Sequence, residues 1–308
     1  MKRLAYLIGV ILVLLLVFKQ PHIVLTEKGK IIAYQGLNQP TDYSNLEQSD
    51  CTATRVKRKQ HNFIENTLPA FDEALRLGAD TLHFNIHHTL DNQFVVFHDW
   101  TLDCRTNGAG VTSEQSYDYL RTLDVGYGYQ IQGTNEYPLR GTGIGLMPTL
   151  ATVLDRYPQT RLLINMKTNQ PLAVKNLIDI LDALDDPQRS RLSFIGTDEV
   201  IKPIQQALPG IRVFSKSIAK SCLIKYAIYG WTRFFPDSCR SMDIIVPAKY
   251  AGLLWGWPDQ LAARSQQNDS RVYLYLTQEL YSQELNYIDR GIGLFTGDLV
   301  GIKNSHAE

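Results

Sequence analysis

Short apolar runs alternate with longer amphipathic segments along most of this chain. Eight of the runs are short, rich in β-branched and aromatic residues, and predict strands. They lie at 31–34, 82–87, 162–167, 192–196, 211–215, 243–247, 272–276 and 293–298. A further run, 94–98, predicts an extra short strand inserted after the second.

Segments with helical periodicity separate most of these runs. The first begins at Asn66 or Thr67 as a cap, carries Pro69 in its first turn and ends at Gly78. The others are 149–157, 172–185, 198–208, 258–266 and 278–290. Strands that alternate with helices imply a parallel sheet, and eight such units in one domain favour a (β/α)8 TIM barrel with a small insertion over a doubly wound sheet.

The N-terminus has the pattern of a membrane-targeting segment. Lys2 and Arg3 precede the uncharged, mostly apolar residues 4–18, and no Ala-x-Ala cleavage site follows. An uncleaved signal-anchor is therefore favoured, with a cleaved signal peptide as the alternative. We expect residues 1–22 to form a membrane-anchoring helix and residues 23–308 to form the barrel domain outside the cytoplasm, in the periplasm if the source is bacterial.

The balance of charged residues excludes one class of binding partner, nucleic acid. The chain has 31 basic and 31 acidic residues, so it lacks the positive charge of a nucleic-acid-binding protein. The basic run 55–59 is typical of a solvated loop. Aromatic residues in 230–241 and 253–260 are typical of core, with a lipid-facing rim as the alternative.

Four cysteines are compatible with disulfide formation in an oxidising compartment. The simplest of the three possible pairings joins Cys51 to Cys104 and Cys222 to Cys239. Four buried free thiols are the alternative. None of the spacings is CxxC, so a zinc ribbon is not indicated.

Polar residues interrupt the predicted strands where a TIM barrel carries its active site, at the strand C-terminal ends. His83, Asn85 and His87 share one face of the second strand. Further polar side chains near strand ends are Tyr34, Gln35, His98, Asn165 and Lys167. Burying polar groups inside a barrel costs free energy unless they are hydrogen-bonded to protein groups or to water, so these residues predict a water-accessible pocket. The alternative is a network in which the polar side chains hydrogen-bond only to one another and bind no ligand.

A resemblance to the glycerophosphodiester phosphodiesterase family lies in residues 65–108, ENTLPAFDEALRLGADTLHFNIHHTLDNQFVVFHDWTLDCRTNG. The motifs in this segment are similar to those of the family in their residues, their order and their spacing. The pieces IIAYQG, MPTLATVLDRYP and LLINMK agree with it, and the contexts of Cys51, Cys104 and RGTGIGLMPTL resemble an exported subgroup. The resemblance implies a TIM barrel that binds a glycerophosphodiester or phospholipid headgroup. It also implies a divalent metal held by carboxylates and two histidines that act as general acid and base.

Several positions depart from the family pattern. The family ends its first strand in His-Arg-Gly, where this chain has Tyr34, Gln35 and Gly36. Tyr34 therefore replaces a catalytic histidine, and an ordinary phenol pKa of about 10 makes it a poor base. The second catalytic histidine is retained as His98. Substrate-binding residues carried over from the family, or standing in their place, are Gln35, Asn66 and Lys167.

The implied metal site is degenerate. Its four positions are Glu65, His83, Asn85 and Asn165, of which only the first is a carboxylate. The affinity for Ca²⁺ or Mg²⁺ should fall by several kcal/mol, because the number of charged ligands tunes that affinity. No cofactor is certain, and a divalent metal would be held weakly.

Three functions remain open. The substitutions favour a non-catalytic protein that binds a phosphodiester, a lipid headgroup or a partner near the membrane. The first alternative is a divergent phosphodiesterase in which Glu65, His83 and His87 hold Zn²⁺ and His98 transfers the proton. The second alternative is a structural or assembly protein without a ligand.

Overall fold

The computed structural model describes residues 25–47, 50–276 and 282–305, with three isolated positions before them. All eight predicted strands are present, each within two residues of its predicted ends. The strands are β1 (Ile31–Tyr34), β2 (Thr81–His88), β3 (Phe94–Val96), β4 (Arg161–Met166), β5 (Leu192–Ile195), β6 (Arg212–Phe214), β7 (Asp243–Pro247), β8 (Arg271–Tyr275) and β9 (Ile292–Thr296).

Eight of these strands form a parallel sheet in the order β6-β5-β4-β2-β1-β9-β8-β7. The two end strands, β6 and β7, approach each other, so the barrel is nearly closed. The extra strand β3 pairs antiparallel with β2. The architecture is that of a TIM barrel, and all strand C-terminal ends open at one mouth.

Helices cover the outside of the barrel. They are α1 (Leu68–Arg76), α2 (Tyr117–Leu120), α3 (Leu150–Arg156), α4 (Pro171–Asp182), α5 (Asp186–Ser190), α6 (Asp198–Ala207), α7 (Lys216–Tyr229), α8 (Ala248–Ala251), α9 (Asp259–Gln267), α10 (Ser282–Asp289) and α11 (Leu299–Ser305). The sequence pattern did not predict α7. This helix buries Cys222 and Tyr226 but exposes Ile224 and Ile228, so its apolar residues form no single stripe.

Side chains of β2 alternate between two environments, as its pattern predicts. Leu82, Phe84 and Ile86 face outward and join the core beneath the helices, where they pack with Phe71 of α1. A separate, smaller cluster that includes Phe295 fills the barrel interior. His83, Asn85 and His87 of β2 therefore point toward that interior and the barrel mouth.

The insertion is larger than the short strand that the sequence predicts. Residues after β3 pack on the loop after β1 and form a second core, which includes Val56, Phe97 and Leu102. The disulfide Cys51–Cys104 joins these two segments. The second disulfide joins Cys222 to Cys239, so the predicted pairing is confirmed and the alternative of free thiols is wrong.

The predicted anchor lies outside the described residues, and the boundary between residues 22 and 23 stays a prediction. Among the residues that are described, no helix has both the length and the apolar character needed to span a membrane.

Candidate active site at the barrel mouth

Parallel pairing places the substituted positions side by side. The register sets Tyr34 of β1 opposite His83 of β2, and Asn85 of β2 opposite Asn165 of β4. Residues that are far apart in the chain thus meet at one mouth of the barrel, as the strand pattern predicts.

Tyr34 is part of an aromatic cluster. Its ring stacks on His83 with centroids 5.0 Å apart and an interplanar angle of 8°. Tyr275 and Phe295 meet the same ring edge-on at 5.7 and 5.4 Å. Burial, reinforced by Tyr275, raises the pKa of Tyr34 well above its ordinary value. Burial, with His98 and Lys167, lowers the pKa of His83 to about 3, so this ring is neutral at pH 7.

Two buried residues at the mouth hold left-handed backbone conformations. Gln35 has φ 58° and Asn66 has φ 59°, and the Asn66 amide donates to the Gln35 carbonyl at 2.8 Å. Such conformations are uncommon away from glycine and cluster at functional sites. The Gln35 side chain accepts a hydrogen bond from the Asn38 amide at 3.1 Å.

Three asparagines at the barrel mouth are linked by hydrogen bonds. The Asn165 side-chain amide donates to the Asn85 side-chain oxygen at 2.9 Å. The Asn66 side-chain oxygen accepts from the Asn85 backbone amide at 3.2 Å. These uncharged groups supply one another with hydrogen-bond partners, as buried amide groups in folded proteins ordinarily need.

A buried arginine pairs with the remaining carboxylate. Nη1 of Arg105 lies 2.7 Å from Oε1 of Glu65, and Nε lies 2.9 Å from Oδ2 of Asp99. The Tyr129 hydroxyl accepts a hydrogen bond from Arg105 at 2.8 Å. The charge of Glu65 is therefore neutralised within the protein itself.

His98 keeps a hydrogen-bonded carboxylate partner. Its Nδ1 atom lies 2.6 Å from Oδ1 of Asp99, and about a third of its side chain (30%) is exposed. Burial lowers the pKa of His98, although the bond to Asp99 acts in the opposite direction. Burial alone would raise the pKa of Asp99, but Arg105 and His98 outweigh it and hold that pKa below its ordinary value.

Lys167 follows the last residue of β4 and is half-buried. Burial lowers its pKa, and Asp99 partly opposes this effect. Its positive charge contributes to lowering the pKa values of His83 and His98. The charges of Glu65, Asp99 and Arg105 sum to minus one, and Lys167 brings the site close to neutral.

The residues present do not fit the metal that the family pattern implies. Ca²⁺ and Mg²⁺ prefer several charged oxygen ligands, whereas both carboxylates here, Glu65 and Asp99, are paired with Arg105. The alternative zinc site is not formed either. Within the described part of the chain, no three His, Cys, Asp or Glu side chains are grouped so that they could hold a metal ion. His87 lies with Nε2 3.4 Å from the His98 carbonyl and its ring edge-on to Trp100.

Sequence reasoning placed the strand residues at the mouth but did not find the role of Arg105. The signal available was its position in the retained loop DWTLDCRTNG, next to Cys104. Tyr43 and Tyr275 were also missed; with Tyr34 they line a cleft that opens beside β1, β8 and β9. A narrower cleft lies against Glu65, His98 and Arg105.

Residues 59–191 match the model of the Glycerophosphoryl diester phosphodiesterase family. Among curated proteins, YhdW of Bacillus subtilis is 38% identical over 106 residues, which cover 33% of this chain and 39% of YhdW. The chain thus spans about two fifths of the length of this relative.

Solved structures share the fold at low identity. The glycerophosphoryl diester phosphodiesterase domain of Rv2277c from Mycobacterium tuberculosis matches with a TM-score of 0.66 at 15% identity, covering 91% of this chain and 100% of that domain. A phosphodiesterase of Oleispira antarctica, solved with its product sn-glycerol-3-phosphate, matches with a TM-score of 0.59 at 15% identity, covering 91% and 98%.

Proposed function

Because this chain belongs to the glycerophosphoryl diester phosphodiesterase family, we propose that it binds the phosphodiester headgroup of a glycerophosphodiester or phospholipid, without metal-dependent hydrolysis. The observation that carries the proposal is the pairing of Arg105 with Glu65 at 2.7 Å beside a neutral asparagine chain. The positions that would hold a cation are thus satisfied by the protein.

Lys167 and His98 are the groups that would hold the anion. Lys167 offers three donors and a positive charge at the end of β4, and His98 at the same barrel mouth is part-exposed. A phosphodiester anion beside His98 would raise the pKa of that histidine. Binding would then take up a proton, so affinity should increase as the pH falls below about 6.5, because the pKa of free His98 lies below that value.

Calorimetric titration of the full chain with glycerophosphocholine tests the binding site. Lys167→Met should weaken binding by roughly 10- to 100-fold, because it removes a charged hydrogen bond. Lys202→Met is the matched control, since Lys202 lies on α6 with its ammonium 3.6 Å from Asp198 and 70% exposed. Equal affinity of the Lys167 variant and the parent would place the ligand elsewhere.

A divergent phosphodiesterase is the second candidate function. The observation that favours it is the 2.6 Å contact between His98 and Asp99, which resembles the carboxylate-oriented histidine of a general acid or base. The test measures release of glycerol 3-phosphate with Mg²⁺, Ca²⁺, Mn²⁺ and Zn²⁺ in turn. Turnover that His98→Ala abolishes would establish hydrolysis and overturn the binding-only proposal.

We also propose that the barrel domain lies outside the cytoplasm, anchored through the apolar segment 4–18. Two disulfides support an oxidising compartment. Labelling of free thiols in cell extracts should leave all four cysteines unmodified until a reductant is added. Labelling of every cysteine without reductant would contradict this location.

A further inference from the structure

A patch of apolar side chains is exposed around the C-terminal half of α7. Ile224, Ile228, Tyr229 and Phe234 are each about half exposed. The rings of Tyr229 and Phe234 meet edge-on with centroids 6.3 Å apart. We call these four residues the α7 patch. Clustered exposed apolar residues on a barrel helix indicate an interaction surface, because the outer face of such a helix is ordinarily polar.

The patch sits on a rigid support. Cys222 of α7 is bonded to Cys239, which ties the helix to the turn that carries Phe234. On the buried side, the Tyr226 hydroxyl donates to the Trp255 carbonyl at 3.1 Å. The exposed side chains are therefore held in place rather than free to collapse onto the barrel.

Positive charge surrounds the patch. Residues 216–240 contain five basic residues and one acidic residue, a local net charge of +4 in a chain whose net charge is zero. The acidic residue, Asp237, is paired with Arg240 at 3.0 Å. Lys220 and Lys225 are exposed on α7, beside Ile224. Apolar and aromatic residues within a basic rim are the composition of surfaces that bind anionic bilayers.

The described chain begins against α9, the helix that also contacts the end of α7. The Thr26 amide donates to the side-chain oxygen of Gln266 at 2.8 Å, and Arg264 on the same turn of α9 donates to the carbonyl of Gly230, directly after α7. Six residues, 19–24, separate Leu25 from the apolar sequence 4–18, and they can span at most roughly 25 Å. An anchor in a bilayer would therefore keep the α7 patch within reach of that bilayer.

We propose that the α7 patch docks on the surface of a membrane containing anionic lipid. Phe234 and the two isoleucines enter the headgroup region, and the surrounding lysines contact lipid phosphates. This surface is separate from the barrel mouth, so the inference does not depend on headgroup binding there, but it rests on the anchor proposed above.

Hydrogen–deuterium exchange of the full chain on lipid nanodiscs tests the docking. Amides in 224–236 should exchange more slowly on discs of phosphatidylcholine with phosphatidylglycerol than in detergent micelles. Lys220→Gln with Lys225→Gln should lower the ratio of docked to undocked molecules by roughly 30-fold. Each lysine near an anionic surface strengthens docking by roughly 5-fold, and the two losses multiply. Ile228→Asp should abolish the protection.

Leu172→Asp is the control variant, since Leu172 is an exposed apolar residue on α4. It should leave the protection of 224–236 unchanged. Equal exchange on anionic discs and in micelles, or failure of the chain to bind the discs, would overturn the proposal. Protection that grows with protein concentration in the absence of lipid would assign the patch to a second copy of the chain and would also overturn it.

Discussion

Nη1 of Arg105 lies 2.7 Å from Oε1 of Glu65, and both side chains are almost fully buried. Asp99 lies on the other side of the same guanidinium, 2.9 Å from Nε. One internal cation thus balances carboxylates at the place where the family pattern implies a metal ion. The two carboxylates therefore depend on Arg105 for their counter-charge.

Arg105→Gln should destabilise the fold strongly. It leaves Glu65 and Asp99 buried without their counter-charge, and losing one partner of a buried ion pair costs about 3 to 5 kcal/mol of unfolding free energy. Urea denaturation measures the loss. Arg121→Gln is the matched control: its pair with Asp118 at 3.0 Å is exposed, so the loss should be below about 1 kcal/mol. Similar losses in both variants would contradict the role of Arg105.

Stability should decrease as the pH is lowered from 7 to 5. Burial lowers the pKa of His83 to about 3 and that of His87 to about 4, whereas both histidines titrate near 6.5 in the unfolded chain. Between these values only the unfolded chain binds the protons. Each histidine should therefore make the unfolding free energy about 2 kcal/mol lower at pH 5 than at pH 7.

His83→Phe tests the origin of this pH dependence. Phenylalanine keeps the ring contacts with Tyr34 and Phe295 but cannot be protonated. Unfolding free energies at pH 5, 6 and 7 should vary by about 2 kcal/mol less in the variant than in the parent. An unchanged pH dependence would mean that His83 does not contribute to it.

The two disulfides should contribute unequally to stability. Cys51 and Cys104 are 53 residues apart, and Cys222 and Cys239 are 17 apart. Closing the longer loop restricts the unfolded chain more, which predicts losses of about 4 and about 3 kcal/mol when each pair is replaced by alanine. Thermal and urea denaturation of the two double variants measure the difference. A larger loss for the 222–239 pair would show that the folded-state contacts of α7 matter more than loop entropy.

Restored carboxylates should create a cation requirement. His83→Glu, Asn85→Asp and Asn165→Glu together place three negative charges where Asn85 and Asn165 now share a hydrogen bond. Without divalent metal, this triple variant should melt below the parent. Added Ca²⁺ should stabilise it, by about 2.7 kcal/mol at 100 times the Kd, and should leave the parent unchanged.

A second asparagine pair supplies the control for this experiment. Asn92 and Asn176 lie 3.3 Å apart in an exposed position. Asn92→Asp with Asn176→Asp should not respond to Ca²⁺, because water screens both carboxylates. A calcium response in the parent protein would show that the present residues do hold the ion.

The barrel was predictable because strand identity is a local property. The runs at β1 and β7 match their predicted bounds, since four or five apolar residues between turn signals already favour a buried parallel strand. The alternation on β2 likewise indicated which side chains face the mouth. The apolar pattern did not predict α7, because the exposed face of that helix is also apolar. It did not predict the size of the insertion either, because the core of the insertion is formed by segments on either side of α1 and β2.

The sequence by itself determined the order of strands along the chain, the four cysteines that pair and the uncharged residues at three of the four positions where the family resemblance implies metal ligands. Only the tertiary structure decided that Arg105 balances Glu65, 40 residues earlier in the chain, and that Asn165 donates a hydrogen bond to Asn85. The physical reason is that an ion pair depends on distance in space, which closure of the barrel sets. Which apolar residues remain exposed, as in the α7 patch, is likewise decided only once every helix has taken its place on the barrel.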